Sequence, residues 1–189
     1  MFSQMISKPH NLILFTGRKH SGKTTAADRL AMQVRSMGFR VAGLLAPAVY
    51  EDSRLVGFGA VDLGRDRQID LLNRKITEGK RVRWAFTEAG LKLGRTALNP
   101  SSAGSADLII VDEFGPLEMD GGGWRKEVDL LLASTDVPVV LVVREEIEER
   151  VQKLYENYPS MKLAAAKEDS INKIIGILKE RKIRNGLND

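Results

Sequence analysis

The stretch "GRKHSGKTT" (residues 17–25) decides the fold of this 189-residue chain through the segments on either side of it. It follows "NLILF" (11–15), an apolar run typical of a buried strand. It precedes a segment, from about residue 24 to 37, whose apolar residues recur at helical spacing, and then "FRVAGLLA" (39–46), a second strand. Strand, helix and strand in this order form the βαβ unit of a parallel sheet, so we expect an α/β fold.

The spacing inside this stretch matches the pattern G-x-x-x-x-G-K-[ST], with Gly17, Gly22, Lys23 and Thr24 at its fixed positions. Glycines allow the backbone N–H groups to converge, and the following helix adds the positive end of its dipole. Lys23 can reach the outer phosphates, and the Thr24 hydroxyl can bind Mg²⁺. The loop therefore predicts binding of a nucleoside triphosphate. The residues expected to form this binding loop are Gly17, Arg18, Lys19, His20, Ser21, Gly22, Lys23, Thr24 and Thr25, with the His20 side chain exposed and the backbone making the contacts.

A second apolar run, "DLIIVDE" (107–113), ends in two carboxylates. Ligands bind at the carboxyl ends of parallel strands in open α/β sheets, so we expect Asp112 to hold Mg²⁺. A carboxylate beside the metal can deprotonate a water aimed at the γ-phosphate, which makes Glu113 the candidate general base. Arg144 ends the run "VPVVLVVRE" (137–145) and could stabilise transition-state charge if that strand is parallel. Glu118 could either support the site from behind or face water.

Three stretches together resemble the small P-loop nucleoside-triphosphatases of the cancer-related nucleoside-triphosphatase type. They are residues 17–25, the strand-rich segment 38–63, and "DLIIVDEFGPLEM" (107–119). The resemblance implies a Rossmann-like three-layer α/β/α P-loop fold, with a largely parallel sheet and an antiparallel hairpin. It also implies slow, Mg²⁺-dependent hydrolysis of ATP, GTP and other triphosphates. Lys23 and Thr24 match the phosphate and metal residues of that family, while Asp112 and Glu113 match its metal and water-activating pair.

The resemblance does not extend to the contacts with the base, because "SMKLAAAKEDSINK" (160–173) replaces an Asn-Arg pair that the family tends to carry. Two other functions stay open. Residues 17–25 and 35–44 also resemble the GTP-binding adapter of molybdopterin-guanine dinucleotide biosynthesis. A small-molecule kinase is the other alternative, with "NRKITEGKRVR" (73–83) as its lid. Basic residues around Trp84 and Phe86 could supply an arginine finger or stack on a base, or form a solvated face.

Composition narrows the class of protein. Apolar residues make up 43% of the chain and charged residues 29%, as in ordinary globular proteins. The longest apolar run, "VPVVLVV" (137–143), is too short to span a membrane. There are no cysteines and we find no export signal, so we expect a cytoplasmic protein. A net charge of +4 is too small a bias to indicate nucleic-acid binding, and a protein partner stays unknown.

The remaining pattern predicts one domain over residues 1–189. "AVYEDSRLVGFGAVDLG" (48–64) indicates two antiparallel strands around the turn 51–53. The segments expected to be helices are 87–98, 121–135, 145–158 and 168–185, with a loop over 99–106.

Overall fold

The computed structural model describes residues 11–76 and 82–186, and the side chains of 71–85 lie outside that description. The described strands form one nine-stranded mixed sheet. These strands are β1 (Leu12–Gly17), β2 (Val41–Leu45), β3 (Ala48–Glu51), β4 (Arg54–Asp62), β5 (Arg67–Ile76), β6 (Val82–Phe86), β7 (Leu108–Phe114), β8 (Val139–Arg144) and β9 (Ser160–Ala164).

The order of strands across the sheet is β6-β5-β4-β2-β7-β8-β1-β9, with β3 paired to β4. The five strands from β2 to β9 in this order are parallel, whereas β3, β4, β5 and β6 are antiparallel to their neighbours. This confirms the predicted α/β fold, in which a largely parallel sheet carries an antiparallel hairpin, although the antiparallel part has four strands instead of two. Strand β8 lies between β1, which leads into the glycine-rich loop, and β7, which carries the two carboxylates.

The helices cover both faces of the sheet and give it three layers. Their bounds are α1 (Lys23–Ser36), α2 (Glu88–Ala97), α3 (Pro100–Ala103), α4 (Pro116–Met119), α5 (Arg125–Ser134), α6 (Glu148–Leu154) and α7 (Glu168–Gly186), with a 3-10 turn over Glu145–Ile147 before α6. Helices α1 and α7 pack on one face, while α2, α3, α5 and α6 contribute to the core on the other.

Alternation along the strands assigns side chains to these two cores. In β1, Leu12 and Leu14 join one core, and Ile13 and Phe15 join the other. All four are fully buried, as expected for parallel strands covered on both faces. Strand β2 approaches β7 so closely that a Cβ on Gly43 would lie 1.9 Å from the Ile110 carbonyl oxygen.

The structure corrects three parts of the sequence prediction. The expected loop 99–106 contains α3, which Pro100 starts and the Asn99 side chain caps by accepting from the Ser101 N–H at 2.9 Å. The hairpin β3–β4 exists, but β5 and β6 extend it. Of residues 73–83, which could have served as the lid of a kinase, 73–76 and 82–83 are strand, and 77–81 lie outside the described residues. Strand β9 was not predicted, and it pairs with β1.

Candidate active site

The glycine-rich loop, residues 17–24 (the phosphate loop), connects β1 to α1 in a conformation that depends on its glycines. Gly22 has φ +79°, in the left-handed region that favours glycine. A Cβ on Gly17 would lie 2.8 Å from the Ser21 Oγ and 3.2 Å from the Lys23 Cγ, so a larger residue there would displace these two side chains. Lys23 Nζ donates to the Arg18 carbonyl oxygen at 2.8 Å. The Lys23 side chain therefore folds back onto the backbone of its own loop.

The first turn of α1 is ready for an anion. Gly22 precedes the helix and has no side chain to cap it, and the first turn carries no acidic residue. Free N–H groups at a helix start attract negative charge. Partial burial lowers the pKa of Lys23, and the nearby carboxylate of Glu113 opposes that shift. These features fit the predicted contact of this loop with phosphates.

Asp112 lies at the carboxyl end of β7 and is 1% exposed. Its Oδ2 accepts from the Ala46 N–H at 3.1 Å, and its Oδ1 accepts from the Glu113 N–H at 2.9 Å. The Thr24 side chain, at the end of the phosphate loop, lies close enough to Asp112 to favour its carboxylate by hydrogen bonding. Burial, followed by the charge of Glu113, raises the pKa of Asp112 to about 6, and the hydrogen bonds only partly oppose this.

The Thr24 hydroxyl and the Asp112 carboxylate therefore meet, and this pair fits Mg²⁺. Magnesium is commonly held by one or two protein oxygens plus the phosphates of a nucleotide. Among the residues that the structure describes, no cluster of three or more His, Cys, Asp or Glu could hold a metal alone.

Glu113 occupies a bulge in β7. The register between β7 and β8 shifts between Val111 and Phe114, and Glu113 has φ +59°, a conformation that non-glycine residues seldom adopt. Its Oε2 lies 3.4 Å from Nη2 of Arg144. Because of the bulge, the two consecutive carboxylates point in different directions. Asp112 is buried next to Thr24, whereas Glu113 lines the open cleft.

Arg144 lies on the same sheet edge as the phosphate loop, as predicted for a parallel strand. It pairs with Gly17 in the register between β1 and β8. Its guanidinium contacts Glu113 and lies within electrostatic reach of Lys23. Arg18 points outward, 86% exposed, with its Nε 3.6 Å from Glu145.

Glu118 neither faces water nor enters the cleft. It is 3% exposed, and its Oε2 accepts from the Gly115 N–H at 2.9 Å while its Oε1 accepts from the Trp124 N–H at 3.3 Å. The side chain thus joins the segment after Glu113 to the start of α5. Burial raises the pKa of Glu118, against the effect of those N–H groups.

A cleft of about 660 Å³ opens above the phosphate loop. Its lining includes the predicted residues His20, Ser21, Gly22, Lys23, Thr24, Thr25 and Glu113. It also includes residues that the sequence analysis did not select, among them Asp28, Tyr50, Phe58 and Gln68. The alternation of side chains in a strand could have shown that Tyr50 and Glu51 point to opposite sides, but not what either faces.

Most of the basic cluster near Trp84 lies outside the part of the chain that the structure describes. Lys80 and Arg81 lie outside the described residues, as do the side chains of Arg83 and Trp84. Phe86 packs edge-on against Trp124, with ring centroids 5.8 Å apart, so its ring contributes to the core.

No helix among residues 11–76 and 82–186 is long and apolar enough to cross a membrane.

A glycine-rich loop between a parallel strand and a helix, facing a buried aspartate on a second strand, defines a P-loop nucleotide-binding protein. Residues 12–177 match the model of the NTPase family. The chain belongs to this family, whose enzymes are nucleoside-triphosphatases.

Known relatives agree. The chain is 34% identical over 143 residues to the nucleoside-triphosphatase THEP1 of Methanothermobacter thermautotrophicus, covering 75% of this chain and 80% of the relative. It is 32% identical over 140 residues to THEP1 of Methanopyrus kandleri, covering 72% and 74%. These comparisons confirm the predicted family.

Two solved structures share the fold. A human cancer-related nucleoside triphosphatase has a TM-score of 0.65 and 18% identity, over 90% of this chain and 96% of that one. THEP1 from Aquifex aeolicus has a TM-score of 0.64 and 21% identity, over 88% and 98%. None of these relatives is an adapter or a kinase by its name, so the comparisons favour the triphosphatase among the three predicted functions.

Proposed function

We propose that this enzyme hydrolyses Mg²⁺-bound nucleoside 5′-triphosphates, ATP and GTP among them, to a nucleoside diphosphate and phosphate. The observation that carries the proposal is the placement of Glu113. Its carboxylate lines the cleft next to Asp112 and within the electrostatic reach of Lys23. A carboxylate there can act on a water at the terminal phosphate.

In this proposal the phosphate loop binds the β- and γ-phosphates through its N–H groups, and Lys23 exchanges the Arg18 carbonyl for phosphate oxygens. Thr24 and Asp112 hold Mg²⁺, which supplies charge neutralisation on the phosphates when bound. The Asp112 carboxylate is fixed for this role by the Ala46 and Glu113 N–H groups.

Glu113 accepts the proton of the attacking water in the proposed reaction. The water oxygen bonds to the γ-phosphorus, and the bond from that phosphorus to the bridging oxygen breaks, leaving the electron pair on the diphosphate. Arg144 would leave Glu113 and stabilise the charge that develops on the transferred group. A cytoplasmic location and a single domain over 1–189 stay predictions from the sequence.

The test is phosphate release from ATP, GTP, CTP and UTP, with and without Mg²⁺. We expect Glu113→Gln to lower kcat at least about 100-fold, in the range for loss of a general base, while nucleotide still binds. Lys23→Ala should weaken binding. Glu149→Gln, which changes an exposed glutamate of α6 in the same way, is the matched control and should leave kcat unchanged. Full activity in Glu113→Gln would contradict the assignment of the base.

A further inference from the structure

The bulge that carries Glu113 has a strand pair on each side of it. Before the bulge, Val111 pairs with Leu141 of β8. After it, Phe114 pairs with Val143. Between these pairs two residues of β7 occupy the length of one residue of β8, as in a β-bulge. The direction of the Glu113 side chain therefore depends on Phe114, the residue at which regular pairing resumes.

Phe114 packs against the ring of Tyr155. The two ring centroids lie 5.9 Å apart with the ring planes inclined by 58°, and the residues are 1% and 4% exposed. A tilted pair of buried rings is favourable beyond the area that it removes from water. Tyr155 directly follows α6, so this contact joins the end of that helix to the residue next to Glu113.

The Tyr155 side chain is fixed in turn by polar contacts with α5. Its hydroxyl donates to Asp129 Oδ1 at 2.8 Å, and Nε of Arg125 lies 2.9 Å from both oxygens of that carboxylate. The Arg125 guanidinium carbon is also 5.7 Å from the centre of the Tyr155 ring. Burial, followed by the hydrogen bond to Asp129, raises the pKa of Tyr155, so the hydroxyl remains a donor at neutral pH.

The same arginine reaches the chain beyond the bulge. Nη1 of Arg125 donates to the Glu118 carbonyl oxygen at 3.4 Å, on α4, the helix that follows β7. Tyr155, Asp129 and Arg125 (the tyrosine network) therefore contact both β7 and α4 on the C-terminal side of Glu113. Among the described residues that line the cleft, none belongs to this network. The network can therefore influence a bound triphosphate only through the residues that it contacts.

The phosphate loop is separate from the tyrosine network. Phe114 and Tyr155 belong to the core on one face of the sheet, whereas the buried residues of α1 belong to the core on the other face. Lys23 and Thr24, the proposed phosphate and metal residues, are the first two residues of α1. We therefore expect a change at Tyr155 to leave phosphate binding intact.

We propose that Tyr155 is a positioning residue for the reaction, because it fixes Phe114 and thereby the bulge that directs the Glu113 carboxylate at the terminal phosphate. The inference rests on the proposed function, in which Glu113 is the base. Displacement of a reacting group by about 1 Å can cost about 100-fold in rate. Loss of the Tyr155 ring should therefore lower kcat without weakening the binding of nucleotide.

The first test separates turnover from binding in the full chain. The quantities measured are kcat for ATP with Mg²⁺ and, by calorimetry, the dissociation constant of β,γ-methylene-ATP. We expect Tyr155→Leu to lower kcat at least about 10-fold and to leave the dissociation constant within about twofold. Tyr155→Phe, which keeps the ring but loses the hydrogen bond to Asp129, should lower kcat by a smaller factor.

The matched control is Tyr158→Leu, the same change in a ring that packs on Tyr155 with centroids 6.1 Å apart. It should leave kcat within about twofold. Unchanged kcat in every Tyr155 variant that folds would overturn the proposal.

A double-mutant cycle with Glu113→Gln distinguishes positioning from a general structural role. Once the base is removed, its position no longer matters, so Tyr155→Leu should lower the residual kcat of Glu113→Gln by less than about twofold. Equal fold losses of kcat in the two backgrounds would overturn the proposal, because they would mean that Tyr155 supports the fold and not the position of Glu113.

A backbone measurement tests the proposal without hydrolysis. The Cα and Cβ chemical shifts of Glu113 in NMR spectra report its left-handed φ of +59°, and we expect Tyr155→Leu to move them toward the values of an ordinary strand. Unchanged Glu113 shifts in Tyr155→Leu would overturn the proposal. If these shifts change but the wild type releases no phosphate, the effect of Tyr155 on the bulge is supported and only the proposed function is rejected.

Discussion

The guanidinium of Arg144 and the carboxylate of Glu113 meet across two neighbouring parallel strands, with Nη2 and Oε2 3.4 Å apart. Both side chains are about one-third exposed, so solvent screens the pair and it contributes little to stability. Its importance is positional. It places a cation and the candidate base at the same edge of the sheet as the phosphate loop.

We therefore predict that Arg144→Ala lowers kcat by about 10- to 100-fold and changes the free energy of unfolding by less than about 1 kcal/mol. Arg144→Lys should recover part of the rate, because it keeps the charge without the planar fork. Steady-state kinetics and denaturant unfolding give both quantities. Arg150→Ala, at an exposed residue of α6, is the control. An unchanged kcat in Arg144→Ala would show that the arginine only neutralises Glu113.

The raised pKa of Asp112 predicts a specific dependence of stability on pH. In the absence of metal and nucleotide the folded state holds a proton on Asp112 up to about pH 6, whereas its ordinary pKa is 3.8. The folded state binds more protons within that window, so the Asp112 contribution becomes destabilising as pH rises from about 4 to 6 and is then constant. Each unit of pKa shift corresponds to about 1.4 kcal/mol.

The measurement is urea unfolding of the wild type and Asp112→Asn between pH 3.5 and 8, reported as their difference. We expect the free energy of unfolding of Asp112→Asn to increase relative to that of the wild type as the pH rises from 4 to 6. Added Mg²⁺ and nucleotide should restore the free energy of unfolding that the wild type loses over this pH range. A difference that does not vary with pH would contradict the raised pKa.

Gly43 provides a prediction about packing. Its φ of +115° and the 1.9 Å approach of a built Cβ to the Ile110 carbonyl oxygen mean that alanine would both strain the backbone and separate β2 from β7. We expect Gly43→Ala to cost more than about 3 kcal/mol, measured by thermal unfolding. Gly176→Ala, in open space on α7, should instead be stabilising by about 0.5–1 kcal/mol. Equal effects of the two substitutions would refute this reading of β2.

Glu118 should matter for stability more than for chemistry. Glu118→Gln replaces one acceptor by a donor, so the N–H of either Gly115 or Trp124 loses its partner. A buried group left unsatisfied costs about 1–3 kcal/mol. Unfolding in denaturant should show that loss, with kcat reduced less than in Glu113→Gln. A larger loss of kcat than in Glu113→Gln would assign Glu118 to the reaction itself.

The sequence predicted those parts of the site that depend on short stretches of residues. The phosphate loop depends on a nine-residue pattern, and Asp112 and Arg144 end long apolar runs whose parallel pairing places them on one edge. Strand β9 has a single buried residue, Leu163, and β5 carries charged residues throughout, so neither shows the apolar pattern of a strand. The position of Glu118 depends on the Trp124 N–H, which only a three-glycine turn brings back to it. The presence of Tyr50 and Phe58 in the lining of the cleft depends on where the hairpin β3–β4 lies, which strand alternation does not reveal.

The left-handed backbone of Glu113 has a consequence for how this site can change. Glycine at position 113 would adopt φ +59° without strain, and removing strain of this kind raises the free energy of unfolding by about 1–3 kcal/mol. The replacement that would most strengthen the fold at position 113 is therefore the one that abolishes the proposed base. Stability and the proposed catalytic role therefore compete at this single residue, and a screen of this chain for heat resistance alone would select against the proposed base.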